Sequence, residues 1–305
     1  MNYFKAKDEN SAGIFYGIIA YLMWGFLPLY WKLMQEVPAV EILAHRIVWS
    51  FVFMLLVVLL TGGLKETLKV MVVRKKLLMI FLCGLIISVN WLTYIYAINA
   101  DHVIETSMGY YMNPLVVVLF SVIILKEKMM RWQVVSIILA SIGVLIITFQ
   151  YGRIPWIALF LAVTFALYGL IKKIIKLNPV TGLVLETLIV LPVALIYIFS
   201  LESTASGAMS SSPAALKFIL AGTGIITATP LLFFARGIEL TTFSMMGFLQ
   251  YIAPSITLLL GIFIFKEDFT VPHIISFGFI WVALAIFTLA NVGVLKEPEL
   301  LKVKV

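Results

Sequence analysis

Charge is scarce in this chain. Only 12% of its 305 residues are Asp, Glu, Lys or Arg, where a soluble domain carries about a quarter. With 63% apolar residues and a mean hydropathy of +1.10, an ordinary soluble domain is excluded. Cysteine is almost absent. The single Cys83 sits inside an apolar run, which rules out a disulfide framework and a cysteine-built metal site. The three histidines, His45, His102 and His273, are scattered, and no HExxH occurs, so a zinc protease has no footing. The three aspartates, Asp8, Asp101 and Asp268, fall at a terminus or in loops, which leaves no intramembrane aspartyl pair. GxSxG is missing too. No catalytic residue, metal or cofactor is expected, and the chain reads as a non-enzyme.

The net charge of +7 invites a nucleic-acid partner, but the basic residues flank apolar runs and form no stripe. Lys and Arg in that position are topology signals, so no nucleic acid is expected. The N-terminal MNYFKAKDENSAG is polar and leads straight into a full-length apolar run. It has neither the short apolar core nor the small-residue cleavage site of a signal peptide.

What is present is a series of long apolar runs. Ten spans are predicted, at about 12–34, 40–61, 77–99, 104–125, 132–150, 154–173, 180–200, 215–236, 242–265 and 271–291. Each can cross about 30 Å of hydrocarbon as a helix. One stretch occurs twice. ETSMGYYMNPLVVVLFSVIILKEKM (105–129) and MMGFLQYIAPSITLLLGIFIFKEDF (245–269) align 140 residues apart, matching at Tyr111/Tyr251, Pro114/Pro254, Leu119/Leu259, Ile124/Ile264, Lys126/Lys266 and Glu127/Glu267. That offset pairs spans 3, 4 and 5 with 8, 9 and 10. Five spans per half is odd, so the second half is predicted to cross the membrane upside down. The expected fold is an all-α integral membrane protein of two inverted five-helix repeats, residues 12–150 and 154–291. Inverted repeats place substrate sites near their interface, which is a transporter's organisation.

With the N-terminus inside, 17 Lys and Arg fall on the cytoplasmic side, against Lys32, Arg153, Lys217 and Lys266 outside. The bias predicts a multi-pass plasma-membrane protein with both termini cytoplasmic. Membrane lipid is then an obligatory partner, and a monomer is the default, because a repeated ten-span chain can work alone.

Two five-span halves, each with a proline-containing fourth span ending in Lys-Glu, resemble the EamA family of the drug/metabolite transporter superfamily. AHRIVWS (44–50), NWLTYIYAIN (90–99), ETSMGYYMNPL (105–115), ALYGLIKK (166–173), FLQYIAP (248–254) and FGFIWVALAIF (277–287) resemble its RarD branch. The resemblance covers about residues 12–291. It implies ten helices, a central cavity between the halves, and export of small metabolites, amino acids or drugs. It brings no universal site signature with it.

Candidate site residues therefore come from the intramembrane polar groups, which are costly and usually face a cavity or a partner. His45 and Arg46 lie five or six residues inside span 2, roughly 8–9 Å of helix rise. Arg46 can snorkel to the headgroups or face a cavity. Glu186 lies six residues inside span 7; a short carboxylate cannot snorkel, so it needs a partner, a proton or water. Depth alone suggests two gates, an outer one of Arg46, Glu105 and His45 and an inner one of Glu186, Arg236 and Lys173. Glu186 is also the natural carrier of a coupling proton. Asn90, Trp91, Tyr94, Tyr111, Asn113, Tyr168, Gln250 and Tyr251 are candidate cavity lining, with helix packing as the alternative. Such a lining suits a substrate with an apolar or aromatic body and polar ends. Tyr16, Tyr30, Trp31, Trp132 and Trp156 fit an interfacial belt. The alternatives to a transporter are an intramembrane lipid-handling enzyme, which leaves the inverted repeat unexplained, and a non-transporting membrane sensor.

Overall fold

A computed structural model describes residues 2–99, 103–152, 154–265, 271–291 and 293–295. The described residues form helices and no strands. They are α1 (Asn2–Trp31), α2 (Ala39–Leu60), α3 (Leu64–Met71), α4 (Arg74–Asn99), α5 (Val103–Ile123), α6 (Arg131–Tyr151), α7 (Trp156–Ile175), α8 (Pro179–Ser203), α9 (Ala208–Ser211), α10 (Ala214–Leu240), α11 (Phe243–Leu249), α12 (Ile252–Leu260) and α13 (Val271–Asn291). Among the described residues, nine stretches are long and apolar enough to cross a membrane, and α5 adds a shorter apolar one, Met108–Ile123. In hydrocarbon every backbone N–H and C=O must be satisfied internally, which leaves the helix as the spanning form for such runs. The outer surface agrees: Phe149, Phe199 and Phe218 are 77–78% exposed, a contiguous apolar exterior that water would not tolerate.

Local chemistry sets the ends. Asn178 accepts a hydrogen bond from the Val180 N–H ahead of Pro179 at the start of α8, the N-cap and first-turn proline pattern. Gly152, at φ +76°, closes α6 in the left-handed region where glycine costs least. Lys126 and Lys176 terminate α5 and α7 in the same region. Span 9 is broken in two at Gln250–Tyr251. Pro254 explains the position, since a proline ring clashes with the carbonyl four residues upstream. Its sequence counterpart Pro114 leaves α5 continuous, so the two copies differ at the feature that first related them.

Packing follows a definite pattern. α1 lies on α10 and α12, and α7 lies on α4 and α5. α2 and α8 pack together, with α10 against α2 and α4 against α8, while α5 meets α11 and α6 meets α13. The α2–α10 crossing is the tightest one near the site. A Cβ on Gly224 would lie 2.3 Å from the Trp49 backbone carbon and oxygen, and the Ser50 Oγ donates to the Gly224 carbonyl at 3.3 Å. Gly224→Ala is therefore expected to push the two helices apart and cost about 1–3 kcal/mol, read as a lower melting midpoint in detergent. An unchanged midpoint would contradict this close approach.

Candidate functional site

The site is built where α4, α7, α8 and α10 converge. A cavity of about 300 Å³ is lined by Cys83, Lys172, Lys173, Lys176, Glu186 and Glu239, with Leu177, Pro179 and Gly182 also in its wall. Tyr168 and Lys172 are four residues apart on α7 and share one helix face. Both reach Glu186 on α8. The Lys172 ammonium donates to Glu186 Oε1 at 2.8 Å, and the Tyr168 hydroxyl donates to Oε2 at 3.0 Å. Each side chain of the Lys172–Glu186 pair is only 6% exposed. A buried pair with its remaining lone pairs hydrogen-bonded is the arrangement in which two charges can be kept out of water.

Beyond Glu186 the space narrows. A second cavity of about 20 Å³ is lined by Arg46, Ser50, Ser88, Trp91, Tyr168, Glu186, Thr187 and Thr227 among others. Its volume is about that of a single water probe. Among the described residues, Glu186 alone lines both cavities. At the far wall the Arg46 guanidinium carbon lies 4.8 Å from the Trp31 ring centroid and 4.9 Å from that of Trp91. Its Nε donates to Thr227 Oγ1 at 3.0 Å. A cation in contact with two indoles and tied by a hydrogen bond has little freedom.

The polar residues chosen from sequence divide into two groups. Arg46, Trp91, Tyr168 and Glu186 meet around the narrow cavity. Tyr94, whose ring is edge-on to Tyr110 at 5.9 Å, stands beside Arg46. Asn90, Asn113, Tyr111, Gln250 and Tyr251 do not line either cavity. Asn90 donates to the Leu161 carbonyl and Thr164 Oγ1, and Asn113 donates to the Ala162 carbonyl; both fasten α7 to its neighbours. Tyr111 stands edge-on to Phe277, and Tyr251 and Gln250 are buried at the α11–α12 break. Buried Asn and Tyr joining helices is the packing role polar residues take in membranes.

The gates expected from depth are paired differently. Arg236 contacts Glu239, three residues on along α10, and both are largely exposed (45% and 39%); Lys172 holds Glu186 instead. Equal depth does not fix the partner, and Arg236 pairs with Glu239, which lines the wide cavity, instead of with Glu186. Lys173 donates to the Ile238 and Thr241 carbonyls, satisfying the C-terminus of α10. Glu127 accepts from the Phe243 and Ser244 N–H groups, so this half of the repeated Lys-Glu secures the start of α11. His45 does not join Arg46. Successive helix residues diverge by about 100°, and its Nε2 lies 3.8 Å from Glu41 Oε1. The Glu105 side chain lies outside the described residues. Several residues at the site are absent from the sequence candidates, Lys172 and Trp31 among them. Lys172 carried a signal, its four-residue spacing from Tyr168, whereas Trp31 sits at a span end and carries no signal that separates it from an interfacial anchor.

Residues 11–149 match the EamA-like transporter family. The chain is 44% identical over 288 residues to the uncharacterized transporter YojE of Bacillus subtilis, covering 93% of this chain and 96% of that one. It is 39% identical over 281 residues to protein RarD of Escherichia coli, covering 92% and 95%. The chloramphenicol-sensitive protein RarD of Pseudomonas aeruginosa is 25% identical over 90% of this chain and 93% of its own. A crystal structure superposes with a TM-score of 0.68 at 18% identity, over 92% of this chain and 98% of that one, a likeness of fold alone. The chain belongs to the EamA-like transporter family, with RarD proteins among its relatives, and is a multi-pass membrane transporter.

Proposed function

We propose that the protein exports small amphipathic metabolites, amino acids or drug-like compounds by alternating access, as two inverted five-helix repeats in the plasma membrane with both termini cytoplasmic. The carrying observation is that Glu186 lines both a cavity of about 300 Å³ and a smaller one of about 20 Å³ whose wall includes Arg46. We read the wider cavity, a vestibule, as the open end of a transport path and the narrower one as its closed end. The vestibule's Lys172, Lys173 and Lys176 belong to the Lys-rich side, so the open end faces the cytoplasm under the positive-inside rule.

Packing supports the repeat. Exchange each span of the first half with its counterpart in the second. The contacts α1–α10 and α1–α12 become α7–α4 and α7–α5; α2–α10 becomes α8–α4; and α2–α8, α6–α13 and α5–α11 map onto themselves. All of these are observed contacts. An internal twofold relation accounts for that with no further assumption, and it lets two packings of similar energy exchange. Proton uptake by Glu186 would have to break its ion pair to Lys172, linking protonation to movement at the inner end. Facilitated passage without protons is the second reading, in which Glu186 only shapes the path.

Thiol accessibility tests this. In a Cys83→Ser background, Leu177→Cys should react with a membrane-impermeant maleimide in inside-out vesicles and stay protected in right-side-out ones. Chloramphenicol, a probe taken from the Pseudomonas relative's name, should change that rate if it is carried. Reaction of Leu177→Cys only from the outside would overturn the orientation. Simultaneous reaction of Leu177→Cys and Val190→Cys from both faces would indicate a channel.

A further inference from the structure

We propose that Glu41, His45 and Glu202 form a binding site for one divalent transition ion of the zinc class, at the opposite end of α8 from the vestibule. Glu41 and His45 stand one turn apart at the start of α2, and Glu202 is in the last turn of α8. Glu202 is 16 residues beyond Glu186, about 24 Å along the helix. One ligand atom from each of the three lies within 4.8 Å of the other two. Zinc bonds of roughly 2.0–2.2 Å place ligand atoms about 3.5 Å apart, so closure needs on the order of 1 Å of side-chain movement.

Independent support comes from the histidine itself. His45 is 2% exposed, and its Nε2 is buried without a hydrogen-bond partner. At 3.8 Å the nearest Glu41 oxygen is too far to serve as one. A buried nitrogen left unsatisfied is costly, and a metal ion within this cluster would satisfy it.

The carboxylates are held in place from behind. Glu41 Oε1 accepts from the Ala208 N–H, while Glu202 accepts from the Met209 N–H at 3.0 Å and from the Ser210 hydroxyl. All three donors belong to the short α9 turn. Gly207 admits the second carboxylate, since a Cβ there would come within 2.1 Å of Glu202 Oε1. Outer hydrogen bonds of this kind orient metal ligands and leave lone pairs free. Two carboxylates with a neutral imidazole carry two negative charges, which a dication balances. An imidazole ligand favours zinc, copper, iron or nickel over calcium and magnesium, which take oxygen. Glu202 is half-buried, which gives an entry path.

The test uses the full-length protein in detergent, stripped with a chelator and then dialysed against Zn²⁺. The site predicts one saturable equivalent per chain by elemental analysis, a raised melting temperature, and no displacement by equal Mg²⁺. His45→Gln and Glu202→Gln should weaken binding by at least about 100-fold, beyond the 10–100-fold cost of losing an outer partner. Glu202→Gln is the safer variant, being half-buried at a helix end. The absence of saturable binding and of a melting shift in the wild type overturns the site. So does one equivalent that survives both substitutions unchanged.

Discussion

Lys172→Met is expected to destabilise the protein by about 3–5 kcal/mol, the cost of leaving a buried charge without its partner. Among the described residues, the Glu186 carboxylate would then keep only the Tyr168 hydroxyl, at 6% exposure. Glu186→Gln should cost less. The amide oxygen can still accept from Tyr168, and the flexible Lys172 stem can carry its ammonium toward the vestibule water. Combining Lys172→Met with Glu186→Gln should then recover most of the loss, because neither charge is stranded. The readout is a double-mutant cycle of melting midpoints in detergent. A coupling above about 0.5 kcal/mol marks interacting residues, and here it should be several times larger. Additive single costs would mean that the pair contributes nothing.

The second large effect is expected at Arg46. Its guanidinium lies over both the Trp31 and the Trp91 rings while holding Thr227. A desolvated cation–π contact is worth about 2 kcal/mol, and a hydrogen bond from a charged donor about 1.5–3 kcal/mol. Lysine keeps the charge but loses the plane that lies over the two indoles, as well as the Nε hydrogen bond. Arg46→Lys should therefore leave the closed end loose, and Arg46→Ala should remove it. The expected cost to transport is at least about 100-fold for alanine, equivalent to about 2.7 kcal/mol, with lysine in between. Full activity in Arg46→Lys would show that charge suffices and that the stacking is incidental.

The sequence revealed much of the scaffold because membrane burial writes itself as length and hydropathy. Among the described residues, nine of the ten predicted spans coincide with stretches long and apolar enough to cross a membrane, the fourth coincides only with the shorter Met108–Ile123, and span 9 is divided at Gln250–Tyr251. Choosing Arg46 and Glu186 needed only the cost of charge in hydrocarbon. Their partners needed rotation about the helix axis, which depth does not contain. Arg236 shares a depth with Glu186 yet pairs with Glu239, and it is Lys172, next to the candidate Lys173, that holds Glu186. Asn90 and Asn113 show a different blind spot. A polar side chain in a span satisfies a neighbouring carbonyl or lines a path equally well on paper, and only the Leu161, Thr164 and Ala162 contacts separate the two. Long-range clusters were out of reach, as Glu41 and His45 are separated from Glu202 by more than 150 residues.

One measurement tests the transport path most directly. Metabolites would be compared inside and outside cells producing the wild type, Glu186→Gln or no protein, at matched membrane abundance. The account predicts a compound depleted inside and enriched outside in the wild type alone. A compound exported equally well by Glu186→Gln would contradict the path through Glu186, and identical profiles in all three strains would contradict export itself.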